Sequence, residues 1–222
     1  RRGAAGRRPG GVGAALVRWG IPEAKIHCVP SAYLDHALLR SDPAIHKTYD
    51  VSCGGRLVVN KGIAEVIRAI AMLPDVSLVI FGEGPLRPKF EALAKSLGIA
   101  DRVHFAGWAV EGVDVYRTLQ SAKIFAMNSR SEGGPRIALE AMALGLPVIS
   151  TKVGVMPDVI ADGRNGVFTD GDPRDLAQKL RILLADAALR DRMGGEARNI
   201  LTKFERSTLI RRYAEFLQSL AQ

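Results

Sequence analysis

Two glutamates eight positions apart, Glu132 and Glu140, carry the clearest chemical signal in the sequence. Glu140 stands within the apolar run IALEAMAL, and a carboxylate taken out of water is unfavourable by several kcal/mol unless its oxygens accept hydrogen bonds. A ribose diol offers two adjacent hydroxyl donors, which suit an acceptor-only carboxylate. Glu132 precedes the run, within reach of hydroxyls on a sugar attached beyond the phosphates. The pair predicts a sugar-nucleotide site; the alternative is a surface glutamate followed by a solvated helix residue.

The segment between the two glutamates predicts a seat for phosphate. Gly133 and Gly134 free the backbone, and Pro135 stands where a helix would begin. The first-turn amides of a helix have no partner inside it and lie at the positive end of its dipole, so an anion is stabilised there. Because Pro135 has no amide hydrogen, the candidate donors are the amides of Gly134, Arg136 and Ile137.

Two cations lie within GGRLVVNKG, residues 54–62. Arg56 would stand at the beginning of a strand over 55–59, and Lys61 in the loop that follows it. A guanidinium and an ammonium directed at one point would neutralise a diphosphate without a metal ion. Taken alone, the two residues are also typical of ordinary surface charges.

A glycine-rich turn, FGEGPL at 81–86, follows another strand candidate. Its glycines, Gly82 and Gly84, would let the backbone approach a ligand closely, although a simple strand-to-helix turn has the same composition. The third glycine of a dinucleotide fingerprint is absent, because position 87 is Arg. This departure disfavours a nicotinamide-dependent dehydrogenase.

The elements that must position these loops alternate along the chain. The strand candidates are GRLVV (55–59), VSLVIF (76–81), RVHFAG (102–107), KIFAM (123–127), PVIST (147–151) and GVFT (166–169). The helix candidates between them cover 62–73, 86–97, 113–120 and 135–144. Apolar strands separated by helices predict an α/β fold, a doubly wound parallel sheet of the Rossmann-like kind. In such sheets ligands bind beyond the carboxyl ends of the strands.

The C-terminal third predicts helices without further strands. Asp172 is the expected N-cap of the first, with Pro173 at its first position. A second helix is expected over 187–203 and a third from about Ser207 to the end of the chain. The resulting division is a remnant of a preceding domain and linker over 1–30, a nucleotide-sugar-binding domain over 31–205 and a C-terminal helix over 206–222. Asp170 and Asp172 match the spacing of a metal-binding D-x-D motif. Because the side chain of Asp172 is expected to cap the helix, we expect no metal ion there.

Composition excludes several classes of protein. The net charge is +8, yet five arginines precede the first acid, Glu23, and without them 26 basic residues face 23 acidic ones. No aromatic residues interleave with these arginines, so we expect no nucleic-acid partner. Contact with anionic lipid at a membrane surface stays open. No run reaches the roughly 18 apolar residues of a membrane-spanning helix. Cys28 and Cys53 lie in apolar, strand-like surroundings and are expected to be buried free thiols.

Several spaced motifs, in order, resemble one family. The E-x7-E motif of SEGGPRIALE resembles the signature of retaining GT-B glycosyltransferases, most closely glycosyltransferase family 4 (group 1). GGRLVVNKG is similar to the G-R-L-x-x-x-K-G phosphate loop of that family, and LVIFGEGPLRPKFEALAKSLGIADRVHFAGW and TKVGVMPDVIADGRNGVF are similar to its flanking stretches. Val155 replaces the second glycine of a common Gly-Gly, and Arg136 occupies a usually apolar position.

The resemblance implies a role for each site residue. Arg56 and Lys61 would bind the diphosphate and stabilise the charge that builds on it, and Glu132 would hold donor-sugar hydroxyls. Glu140 would bind the ribose, and backbone near Ala109 would contact the base. It also implies transfer with retention of configuration and without a metal or other cofactor.

The same resemblance places the chain in the C-terminal, donor-binding half of the fold. The acceptor, a glycan or a lipid, would be bound by an additional N-terminal domain, without which we expect little or no transfer. The location implied is cytoplasmic, including the inner face of the membrane. A non-catalytic nucleotide-sugar-binding module and a sugar-nucleotide epimerase of the same fold remain as alternatives.

Overall fold

The computed structural model describes residues 16–26, 34–108 and 112–220. Three sites of earlier predictions, the Arg-rich start, Cys28 and Ala109, lie outside these ranges.

Within the described residues, six parallel strands form one sheet in the order β3-β2-β1-β4-β5-β6. The strands are β1 (Tyr49–Gly54), β2 (Leu78–Phe81), β3 (Val103–Gly107), β4 (Ala122–Met127), β5 (Val148–Ser150) and β6 (Val167–Phe168). The helices are α1 (Ile63–Ala71), α2 (Arg87–Ser96), α3 (Gly112–Gln120), α4 (Arg136–Ala143), α5 (Met156–Val159), α6 (Pro173–Ala185), α7 (Ala187–Ala197), α8 (Ile200–Lys203) and α9 (Arg206–Leu220). Short 3-10 turns cover Glu23–Lys25, Val59–Lys61 and Ala100–Arg102. The prediction of a doubly wound parallel α/β sheet is confirmed.

The sheet is covered on both faces, which explains why its strands read as nearly continuous apolar runs. In β4, Ile124 joins one buried cluster and Phe125, its neighbour in the chain, joins the other. Successive side chains of a strand point to opposite faces, so one strand feeds both cores. Helices α1, α2 and α6 supply the first cluster, and α3 and α4 the second.

Strand order reverses between β1 and β4, which pair with each other in the middle of the sheet. Open α/β sheets bind ligands in a crevice beyond the carboxyl ends of the strands, at the point where strand order reverses. The loop after β1 holds Arg56 and Lys61, and the loop after β4 holds Glu132.

The strand predicted over 55–59 is wrong, because β1 is YDVSCG, six residues earlier at its start. Its polar Asp50 and Ser52 disguise it, although Ser52 is fully buried. The apolar run that suggested a strand is a loop in which Leu57 is buried through backbone bonds to the loop after β2. Val59 in the same run is 61% exposed.

The C-terminal helices differ in one respect from prediction. The expected N-cap is confirmed, since Asp172 Oδ1 accepts a hydrogen bond of 2.7 Å from the Arg174 amide. The single helix expected over 187–203 is instead α7 and α8, broken after Ala197. The break lets Ile200 and Phe204 enter the cluster around α4. No helix of the described residues is long and apolar enough to cross a membrane.

Candidate active site

Lys61 and Glu132 meet at the strand-order reversal, although 71 positions separate them in the chain. Lys61 Nζ donates to Glu132 Oε1 at 2.5 Å, and the two side chains are 24% and 14% exposed. The lysine stem lies along the β1 loop, because a Cβ added to Gly55 would stand 3.8 Å from Lys61 Cε. A half-buried cation and carboxylate are thus held together where the two loops approach.

Arg56 lies in the loop after β1, not at the beginning of a strand as its sequence predicted. The correction brings it to the same edge of the sheet as Lys61. Its side chain is exposed and takes part in no hydrogen bond or ion pair among the described residues. The structure therefore places Arg56 in the same loop as Lys61, with its side chain exposed.

The glycines after β2 serve the packing of two loops. A Cβ on Gly82 would stand 2.0 Å from the Gly55 carbonyl oxygen, and one on Gly84 would meet Leu57 backbone at 2.5 Å. Leu57 N donates to Glu83 O at 2.9 Å. These glycines therefore let the β1 loop lie directly on the β2 loop.

Glu140 is 6% exposed inside α4, among Leu139, Ala141 and other buried apolar residues. Its Oε1 accepts hydrogen bonds from Tyr116 Oη at 3.0 Å and from Arg136 Nε at 2.8 Å. The carboxylate is thus turned away from bulk water, as the apolar run around it predicts. The protein itself supplies two hydrogen-bond donors to Oε1, although the sequence alone predicts ribose hydroxyls as the donors to this carboxylate.

The pKa values of both partners of Glu140, Tyr116 and Arg136, are raised above their ordinary values. Burial, the negative charge of Glu140 and the hydrogen bond to it raise the pKa of Tyr116 to about 12. The hydrogen bond to Glu140 raises the pKa of Arg136. Both residues therefore keep their protons, and act as donors to Glu140, throughout the neutral pH range.

Tyr116 is the site residue that sequence reasoning missed. Arg136 and Glu140 are four positions apart on one helix, a spacing that signals a contact. Tyr116 belongs to α3, and its approach to α4 depends on the packing of two helices over the sheet. No spacing rule in the sequence reports that distance.

The start of α4 holds backbone amides that lie ahead of the helical hydrogen-bond ladder. Pro135 is the N-cap rather than the first helical residue, and its carbonyl accepts from Ala138 at 3.0 Å and from Leu139 at 3.3 Å. The helical hydrogen-bond ladder therefore begins at Ala138. The amides of Gly134, Arg136 and Ile137, named from the sequence, precede it.

A second loop braces the segment that carries Glu132. The amide of Val155 donates to Gly133 O at 3.1 Å. Gly154 has φ of 53°, and a Cβ there would stand 2.2 Å from the same carbonyl oxygen and 2.8 Å from Glu132 O. Val155 thus supplies a backbone hydrogen bond to this segment, and Gly154 permits the close approach of the two loops.

The two aspartates of the D-G-D segment after β6 accept hydrogen bonds from nearby backbone amides. Asp170 Oδ1 accepts from Asp172 N at 2.8 Å, while Asp172 caps α6. In the part of the chain that the structure describes, no group of three or more His, Cys, Asp or Glu side chains could hold a metal ion.

The sequence matches a family model described as glycosyl transferases group 1 over residues 38–200. The lipopolysaccharide core biosynthesis glycosyltransferase LpsE of Rhizobium meliloti is 35% identical over 167 residues, 74% of this chain and 48% of that protein. The GDP-mannose-dependent alpha-(1-6)-phosphatidylinositol monomannoside mannosyltransferase of Mycolicibacterium smegmatis is 33% identical over 181 residues, 75% of this chain and 47% of that protein. The chain spans about half the length of these relatives.

Solved structures share the fold. The crystal structure of Anabaena Alr3699/HepE in complex with UDP superposes with a TM-score of 0.86 at 22% identity, over 93% of this chain and 61% of that one. The C-terminal domain of the glycosyl transferase group 1 family protein LpcC from Francisella tularensis has a TM-score of 0.70 at 26% identity, over 77% of this chain and 97% of that one.

Proposed function

The chain belongs to the glycosyl transferase group 1 family, and on that premise we propose that it is the donor-binding half of a retaining, family 4 type glycosyltransferase. It would bind a nucleoside-diphosphate sugar and present the sugar to an acceptor held by a second domain. The observation that carries this proposal is the meeting of Lys61 with Glu132 at the reversal of strand order, beside the start of α4.

Each group in the crevice suits one part of such a donor. Lys61 has three donor hydrogens, so it can keep its hydrogen bond to Glu132 while it also donates to phosphate oxygens. Arg56 and the amides at the start of α4 add positive potential around the same anion. As the glycosidic bond breaks, negative charge builds on the departing diphosphate, and preorganised donors stabilise that charge.

The remaining groups read the two ends of the donor. Glu132 would accept hydrogen bonds from the hydroxyls of the sugar. Glu140, which lies inside α4, would accept them from the hydroxyls of the ribose. Backbone near Ala109 would contact the base. Since two cations and a helix start already neutralise the diphosphate, we expect no divalent metal to be required.

The relatives named above guide the proposal for the acceptor. One relative is named for lipopolysaccharide core biosynthesis and the other for a phosphatidylinositol mannoside. We therefore expect a glycan or lipid acceptor, bound mainly by a second domain, and a cytoplasmic location that includes peripheral contact with the inner face of a membrane. Without that domain we expect little or no transfer.

Calorimetry with UDP, GDP and ADP tests the donor site directly. We expect one of the three to bind with a Kd in the micromolar to millimolar range, and Glu140→Ala to weaken it strongly. Added EDTA should leave that Kd unchanged. A folded chain that binds none of the three would overturn the proposal.

Retention is tested in a chain that also carries an acceptor domain. A labelled donor and NMR of the product distinguish transfer from epimerisation and report the anomeric configuration. An inverted product would contradict the retaining assignment while leaving the donor site intact.

A further inference from the structure

Glu140 carries a feature that the donor site by itself does not explain, namely two protein donors on one carboxylate oxygen. Oε1 accepts from Tyr116 Oη and Arg136 Nε, whereas no described group donates to Oε2. A carboxylate oxygen has about two lone-pair sites, so these two contacts occupy Oε1 fully. The carboxylate cannot rotate without breaking a charge-assisted hydrogen bond in a nearly buried setting.

The two donors reach Glu140 from different directions. Arg136 is one turn earlier on the same helix, α4, and its side chain is 54% exposed. Tyr116 is half-buried on α3 and approaches from the neighbouring helix. Together they fix both the side-chain rotation of Glu140 and the distance between the two helices at this point.

We propose, resting on the donor-binding function above, that Tyr116 and Arg136 are positioning residues that occupy Glu140 Oε1 and thereby present Oε2 to the ribose hydroxyls. They act through Glu140, so their contribution is to ribose recognition rather than to chemistry at the sugar. Arg136 donates from the same helix as Glu140 and Tyr116 from the neighbouring helix, so the carboxylate is held by two separate elements.

Two other roles for the same contacts make different predictions. If Arg136 and Tyr116 covered the carboxylate and had to be displaced by the nucleoside, their removal would tighten binding. If they served only to satisfy a buried charge, their removal would lower stability and leave nucleotide selectivity unchanged. The positioning role alone predicts weaker binding together with lost selectivity for ribose.

The test compares ribo- with 2′-deoxy- and 3′-deoxynucleoside diphosphates of whichever base the wild-type chain binds. For Tyr116→Phe and Arg136→Leu we expect the ribonucleotide to bind about tenfold more weakly, which corresponds to about 1.4 kcal/mol. The deoxynucleotide that wild type discriminates against should change much less, so that the ribo-to-deoxy ratio of Kd values collapses. Arg136→Lys, which restores a single charged donor, should recover part of the ratio.

Matched variants separate positioning from general effects. Tyr213→Phe removes an exposed tyrosine hydroxyl on α9, and Arg164→Leu removes an exposed arginine paired with Glu196 at 2.9 Å; both should leave the ratio unchanged. In a Glu140→Gln background, Tyr116→Phe should no longer alter it. Melting temperatures recorded for every variant show whether each remains folded.

The outcomes are distinguishable from a failure of the proposed function. If wild type binds no nucleoside diphosphate, the donor-site proposal fails. If wild type prefers ribose and the Tyr116 and Arg136 variants keep that preference, or bind more tightly, the positioning role is overturned while the donor site stands.

Discussion

Replacing Lys61 by methionine tests the centre of the crevice, since methionine keeps an unbranched side chain and removes the charge. In the free protein the change leaves Glu132, 14% exposed, without its cation. An exposed ion pair contributes up to about 1 kcal/mol to the free energy of unfolding, and removing one partner of a buried ion pair lowers that free energy by about 3–5 kcal/mol. For a pair that is one-quarter to one-seventh exposed, we expect a loss of stability of about 1–2 kcal/mol.

The same substitution should also lower the affinity for a nucleoside diphosphate. A hydrogen bond to a charged group contributes about 1.5–3 kcal/mol, and Lys61 is the half-buried cation of the crevice. We therefore expect Lys61→Met to weaken nucleoside-diphosphate binding by about 10–100-fold. Calorimetry with the best-binding nucleotide measures this, and raising the salt concentration should narrow the difference between the two proteins.

The matched control lies at the opposite edge of the sheet. Lys123 Nζ pairs with Asp50 Oδ1 at 2.8 Å, with exposures of 38% and 19%, near the amino ends of β4 and β1. Lys123→Met should lose a similar amount of stability and no affinity. The reasoning is refuted if Lys61→Met binds within about twofold of wild type, or if Lys123→Met loses as much affinity as Lys61→Met.

Three further predictions follow from local contacts. Burial raises the pKa of Asp50, but hydrogen bonds from Lys123 and Ser77 outweigh this effect and leave the pKa below its ordinary value of 3.8. The ionised carboxylate therefore stabilises the folded state above pH 3.8. This stabilisation is lost as the pH falls through the lowered pKa of the folded protein. Denaturant titrations should show Asp50→Asn less stable by about 1 kcal/mol at neutral pH and equal to wild type in strong acid; an equal gap at both pH values contradicts this. Cys53 is 1% exposed and its pKa is raised by burial to about 12, so mass spectrometry should find it unmodified by iodoacetamide in the native protein and modified after unfolding; rapid native labelling would count against this. Gly154→Ala should cost stability and nucleotide affinity through its clash with Gly133 O at 2.2 Å, whereas Gly163→Ala, at φ of 77° with nothing within 4 Å, should cost only the strain of positive φ, about 1 kcal/mol.

Sequence patterns predicted the sheet well where apolar runs are long. The strands β3 and β4 and the helix α4 fall within one residue of their expected limits, because each is an apolar run bounded by polar or turn-forming residues. Prediction failed at β1, where polar residues in a fully paired central strand hide it. It failed there also because Leu57 is buried by contacts between two loops, which a run of apolar letters cannot distinguish from a strand.

The site divides in the same way. The residue types and spacing alone indicate a sugar nucleotide, because charged and glycine-rich loops after strands mark the ligand-binding end of the sheet. The residues concerned are Arg56, Lys61, Glu132 and Glu140. Arg56 and Lys61 follow β1, and Glu132 and Glu140 follow β4. That β1 and β4 are neighbours depends on strand order, which no local pattern encodes.

What the sequence determined by itself is the chemistry available: two carboxylates, two cations and a helix start within loops of an α/β fold. Only the tertiary structure decided which of these groups touch. Lys61 reaches Glu132 across 71 positions, and Tyr116 reaches Glu140 from another helix. The physical reason is that side-chain periodicity acts within a few residues along one element, whereas these contacts depend on the order of strands and the packing of helices against them.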